Sequence, residues 1–141
     1  MLPRLLWLLT GAFAVRVAGQ AIQIVWPQPF LPAFGSFQGS RLPYWALLSV
    51  QLAILTAMIV FTFRIGAGTL VASRRAARIL GVLGGLYLAV SIGRIVIGLA
   101  VSQAPPWFST WMPAVFHLVL ALWVLLVAGY HHAGAASAEH A

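Results

Sequence analysis

Four stretches of almost unbroken apolar residues organise the chain, at positions 5–25, 44–63, 79–101 and 111–130. Polar or helix-breaking residues punctuate them. Pro27 ends the first, and Pro43 opens the second, which Arg64 closes. Arg78 opens the third, the Pro105-Pro106 pair follows it, and Ser109 or Thr110 offers an N-cap for the fourth. Each run has the ~20 residues that carry a helix across a hydrocarbon core of ~30 Å. Only helices and closed barrels satisfy the backbone in lipid. Continuous runs, rather than short alternating ones, select helices. The pattern therefore predicts an all-α fold, a four-helix transmembrane bundle of up-down-up-down topology. Residues 1–132 form a single integral membrane domain, and 133–141, small and polar, are expected to be a disordered cytoplasmic tail.

Composition narrows the class further. The 141 residues are 62% hydrophobic and only 6% charged, with mean hydropathy +1.01. Soluble domains carry about 25% charged residues, so this chain lacks the polar groups to cover a soluble surface. The absence of cysteine excludes a disulfide scaffold, thiol chemistry and thiolate metal sites.

The charge balance sets an expected orientation. Eight arginines, no lysine and a single acid, Glu139, give a formal charge of +7. The arginines are scattered between apolar runs rather than gathered into a basic stripe, which argues against nucleic acid. Arg64, Arg74, Arg75 and Arg78 crowd the second connection, Arg4 precedes the first span, the first connection holds only Arg41, and the third holds no charge. The positive-inside rule then places both termini and the second connection in the cytoplasm of a multi-pass protein of the inner or plasma membrane. A signal peptide is a rival reading of the first segment. The apolar character resumes past Arg16 to Val25, the length of a span, so residues 1–25 are read as a retained helix.

Polar side chains interrupt every run: Arg16, Gln20 and Gln23 in the first, Gln51 in the second, Arg94 in the third and His117 in the fourth. A charge at the centre of a span costs ~2.5–3.5 kcal/mol on insertion scales, so these groups should face the bundle interior. Counted from the outer ends of their spans, Arg16, Gln20, Gln51, Arg94 and His117 lie at ~9–15 Å depth, which brings them into one layer of the outer half. Helical spacing agrees. Ala12, Arg16, Gly19, Gln20 and Gln23 share a stripe, as do Tyr44, Gln51, Met58 and Thr62. Gly84, Tyr87, Ser91, Arg94 and Gly98 form a third, and Thr110, Ala114, His117, Ala121 and Ala128 a fourth.

This layer holds two guanidiniums and no acid. Arginine recognises phosphate and carboxylate through its fork of donors. The expected function is binding of an anionic, largely apolar ligand, a lipid phosphate or carboxylate, by Arg16, Gln20, Gln51, Arg94 and His117. The aromatics Phe30, Phe34, Trp107 and Trp111 of the outer connections serve as a lid over the site, or as the ordinary aromatic belt. The alternative is a structural or assembly subunit, in a homo-oligomer or with a membrane-protein partner, whose polar residues bond helices together. A third reading makes His117 an axial haem ligand; a single intramembrane histidine weakens it. No metal site is expected. Catalysis is disfavoured because no carboxylate or thiol accompanies the histidine. His131 and His132 are expected to cap the end of the fourth helix. Gly81 and Gly85 match a small-xxx-small contact motif.

Overall fold

The computed structural model describes residues 1–31, 33–34, 43–101 and 111–137, without the side chains of Trp111 and Met112. These residues form four helices and no strands: α1 (Leu2–Val25), α2 (Tyr44–Gly66), α3 (Arg74–Ala100) and α4 (Trp111–Ser137). All four are long and apolar enough to cross a membrane, as in a multi-pass membrane protein.

Local chemistry explains the helix ends. Pro3 sits in the first turn of α1, where its missing N–H is not needed. Pro43 precedes α2 in extended conformation. Gly68, at φ +68°, takes the left-handed conformation that only glycine adopts readily and turns the chain after α2. Ser73 caps α3, its hydroxyl accepting the Ala76 N–H at 3.4 Å. That cap moves the start of α3 from the expected 79 to Arg74, because arginine and alanine are good helix formers. Similarly, α4 does not stop at 130. Residues 133–137 continue it through an alanine-rich segment without proline, which corrects the expectation of a disordered tail there; residues 138–141 lie outside the described residues.

Helix α4 is the hub. Its most extensive contacts are with α3, it also packs on α1, and α1 packs on α2. Gly84 permits the close approach of α3 to α4: a Cβ there would lie 3.0 Å from Leu125 and 3.1 Å from Val124. Gly81 and Gly85, by contrast, face open space. The small-xxx-small motif is thus not a contact within this chain, and the glycine between its members makes the contact instead.

Leu6, Phe13, Val17, Met58, Ile65, Trp123 and Val127 form the apolar core. On α1 the buried positions are Leu6, Thr10, Phe13, Arg16, Val17 and Gln20, and Ala12 is exposed. The stripe is therefore rotated slightly toward the larger Phe13 and Val17. Large apolar side chains such as Val15, Phe63, Leu86 and Leu99 stand exposed around the bundle, as expected for surfaces that face lipid rather than water.

Near the arginine-rich end, a hydrogen-bonded relay joins three helices. The Trp123 indole N–H donates to the Thr62 hydroxyl (3.2 Å), which lies 3.4 Å from the Thr10 hydroxyl; Thr10 in turn donates to the Leu6 carbonyl at 2.7 Å. The connection after α2 is tied to α4 as well. The Ser73 N–H donates to His131 Nδ1 at 3.2 Å, and the Tyr130 hydroxyl donates to the Leu70 carbonyl at 2.6 Å. His131 is therefore a buried acceptor within α4, not a cap at its end.

Candidate functional site: a cationic polar layer between the helices

The polar residues of the four spans fall into two adjoining groups. The first joins α1 to α2. Gln20 is fully buried, Gln51 nearly so, and Gln51 Nε2 donates to Gln20 Oε1 at 3.2 Å. One bond cannot satisfy two primary amides. Gln20 Nε2, a donor, and Gln51 Oε1, an acceptor, are buried with no hydrogen-bond partner. An unsatisfied buried amide is destabilising by about 1–3 kcal/mol, so this pair presents one open donor and one open acceptor side by side.

The second group joins α1, α3 and α4. Arg16 and Arg94 are 8% and 4% exposed. Arg16 extends from α1 across α4, its guanidinium carbon 5.5 Å from the centre of the Phe116 ring, within cation–π range. Beyond it, Tyr87 of α3 meets His117 of α4 edge to face, with ring centroids 5.5 Å apart. Both guanidiniums lie within electrostatic reach of the Tyr87 hydroxyl and of the His117 ring. Gln20 sits one helical turn from Arg16 on the same face of α1, which links the two groups.

Local chemistry orients the histidine. His117 Nδ1 is bonded to the Pro113 carbonyl one turn earlier. A carbonyl only accepts, so Nδ1 carries the proton, and in the neutral ring Nε2 is left as an acceptor. Both arginines have interactions within the protein, and no aspartate or glutamate occurs among the described residues. The chain's one acidic side chain, Glu139, lies outside the described residues.

All five expected residues, Arg16, Gln20, Gln51, Arg94 and His117, thus lie between helices, in these two adjoining groups. The aromatic residues of the outer connections are less united. Phe30 is 79% exposed, Phe34 stacks edge-on against Tyr44 at 5.6 Å, and Trp107 and the Trp111 side chain lie outside the described residues. Gln23 is drawn away to the end of α1, where its side-chain oxygen accepts the Gln28 N–H at 3.0 Å. Two members of the site were not singled out from sequence. Tyr87 lies on the expected α3 stripe and its hydroxyl was the available signal; Phe116 carries no signal before its contact with Arg16 is known. No group of three or more potential metal ligands occurs among the described residues. Comparison with known proteins finds no matching family model, no matching curated protein and no matching solved structure.

Proposed function

We propose that the chain spans the inner or plasma membrane four times, up-down-up-down with both termini cytoplasmic, and that its polar layer binds an anionic, largely apolar molecule without transforming it. The ligand class is a lipid phosphate or an acyl carboxylate. The observation that carries this reading is that two buried guanidiniums, from α1 and α3, lie within electrostatic reach of one tyrosine and one histidine. The donor fork of a guanidinium matches phosphate and carboxylate oxygens, and two such forks in one layer favour an anion over a neutral ligand. The open donor and acceptor of the glutamine pair add neutral hydrogen-bonding capacity beside it.

The test is lipid analysis of the intact protein purified in mild detergent. Anionic lipid is expected to be enriched over its share in the source membrane. Arg16→Gln and Arg94→Gln are each expected to reduce that enrichment by about fivefold, following ~1 kcal/mol per arginine. Retained lipid that mirrors the bulk membrane and ignores both substitutions overturns the reading.

The second reading, a structural or assembly subunit, draws support from the direct Gln51–Gln20 bond, the kind of contact that joins helices. A stoichiometric protein partner in native mass spectrometry, with no retained lipid, selects it. Haem binding through His117 requires Soret absorbance in the same preparation.

A further inference from the structure

At the opposite end of the bundle, an open groove of about 540 Å³ runs between the first turns of α3 and the last turns of α4. Its polar lining holds two guanidiniums, Arg74 and Arg78, one turn apart on α3, beside His132 of α4. The remaining lining is small, chiefly Ala77, Gly81, Ala128 and Gly129. The groove exists because these positions carry almost no side chain; a Cβ added to Gly81 or Gly129 would meet nothing within 4 Å. Its volume falls in the ~300–1,000 Å³ range of small-molecule sites.

We infer that this groove is a second binding site, for the phosphate headgroup of an anionic phospholipid in the arginine-side leaflet. Charge complementarity identifies the headgroup. Two arginines and a histidine face the groove, and Arg64 and Arg75 add positive charge at the same end of the chain. Basic pockets between spans on the cytoplasmic side bind such headgroups. The surroundings select a lipid over a soluble anion. Val82 and Leu86, one and two turns beyond Arg78 on α3, are exposed and extend an apolar wall away from the groove along the path of acyl chains. The lining comes from α3 and α4 only, so the groove opens to the outside of the bundle and a lipid reaches it laterally. The inference shares the membrane placement proposed above but not the polar layer, from which the groove is separated along α4 by the rise from His117 to Ala128, ~16 Å.

The experiment titrates the full-length protein, in neutral detergent, with phosphatidylglycerol and separately with phosphatidylcholine of the same acyl chains, and counts bound lipids by native mass spectrometry. The wild type is expected to prefer phosphatidylglycerol. Arg74→Gln and Arg78→Gln, both at exposed positions, should each weaken its binding by about fivefold and leave phosphatidylcholine unchanged. Gly81→Leu fills the groove and should lower the count of bound phosphatidylglycerol by one per protein, with an unchanged circular dichroism melt showing that the bundle is intact. Arg16→Gln should leave this site unaffected, which separates its fate from that of the polar layer. A bound phosphatidylglycerol count unchanged by both Gly81→Leu and the double arginine substitution overturns the inference. So does complete displacement of phosphatidylglycerol by equimolar inorganic phosphate, which would make the ligand a soluble anion.

Discussion

Trp123 of α4 donates its indole N–H to the Thr62 hydroxyl of α2 at 3.2 Å, in a part of the bundle where Thr62 is fully buried. Beyond Thr62 lies Thr10, whose own proton is directed to the Leu6 carbonyl. The hydroxyls therefore form a polarised series, with Trp123 as first donor and a backbone carbonyl as last acceptor. Thr62→Val keeps the shape and removes the middle of the series. Thermal unfolding in detergent is expected to show a loss of about 0.5–1.5 kcal/mol, the range of interhelical hydrogen bonds in membrane bundles and of lost buried partners. Combination with Trp123→Phe in a double-mutant cycle should recover part of that loss. Strict additivity would mean that the two groups do not interact.

The glutamine pair makes the opposite kind of prediction. Gln20→Leu or Gln51→Leu alone strands the remaining amide in an apolar surround, at a cost of about 1–3 kcal/mol. The double substitution leaves no stranded group and should be more stable than either single variant. Chemical denaturation of all four proteins reads this directly. A double variant less stable than both singles would show that the bond outweighs its unsatisfied atoms.

Tyr87 allows the layer's charge to be probed without removing either arginine. Tyr87→Phe keeps the ring against His117 and deletes only the hydroxyl, which lies within electrostatic reach of both guanidiniums. Stability should change by less than about 1 kcal/mol, the usual scale of one hydrogen bond. Retention of anionic lipid should change severalfold, as measured by lipid extraction from the purified variant. A shift in melting temperature with no change in retained lipid would assign Tyr87 to packing alone.

Neighbouring glycines of α3 provide an internal comparison. Gly84→Leu drives a side chain into Leu125 and Val124 and should destabilise the α3–α4 pair by about 1–3 kcal/mol. Gly85→Leu points into open space and should be neutral or stabilising by up to ~1 kcal/mol through helix propensity. Equal effects of the two substitutions on the melting temperature would contradict the helix rotation described here.

These residues also mark how far the amino-acid order reveals the molecule. The four helices are legible because hydrophobicity in lipid is a continuous signal over about 20 residues. The inward faces of α2 and α3 are legible because polar and small residues repeat at helical spacing: Gln51, Met58 and Thr62 are buried, as are Gly84, Ser91 and Arg94. Helix ends are less legible. Ser73 and the alanines after His132 extend helices beyond the apolar runs, since capping and propensity continue where hydrophobicity stops. The role of Gly84 was hidden because Gly81 and Gly85 form the better-known motif, and only rotation about the helix axis decides which glycine meets a neighbour. The Trp123–Thr62–Thr10 relay joins residues 52 and 61 positions apart. Threonine and tryptophan are common enough in spans that no local pattern announces it.

The position of α4 has a consequence for biogenesis. Among the described residues, α3 finds its extensive contacts on α4 alone, α2 packs mainly on α1, and α1 divides its contacts between α2 and α4. Of the four helices, α4 leaves the ribosome last. Until then α3 lacks the helix it packs against, and the close-approach face at Gly84 has nothing to meet. Docking of this last segment is thus the step that ties α3 to the α1–α2 pair.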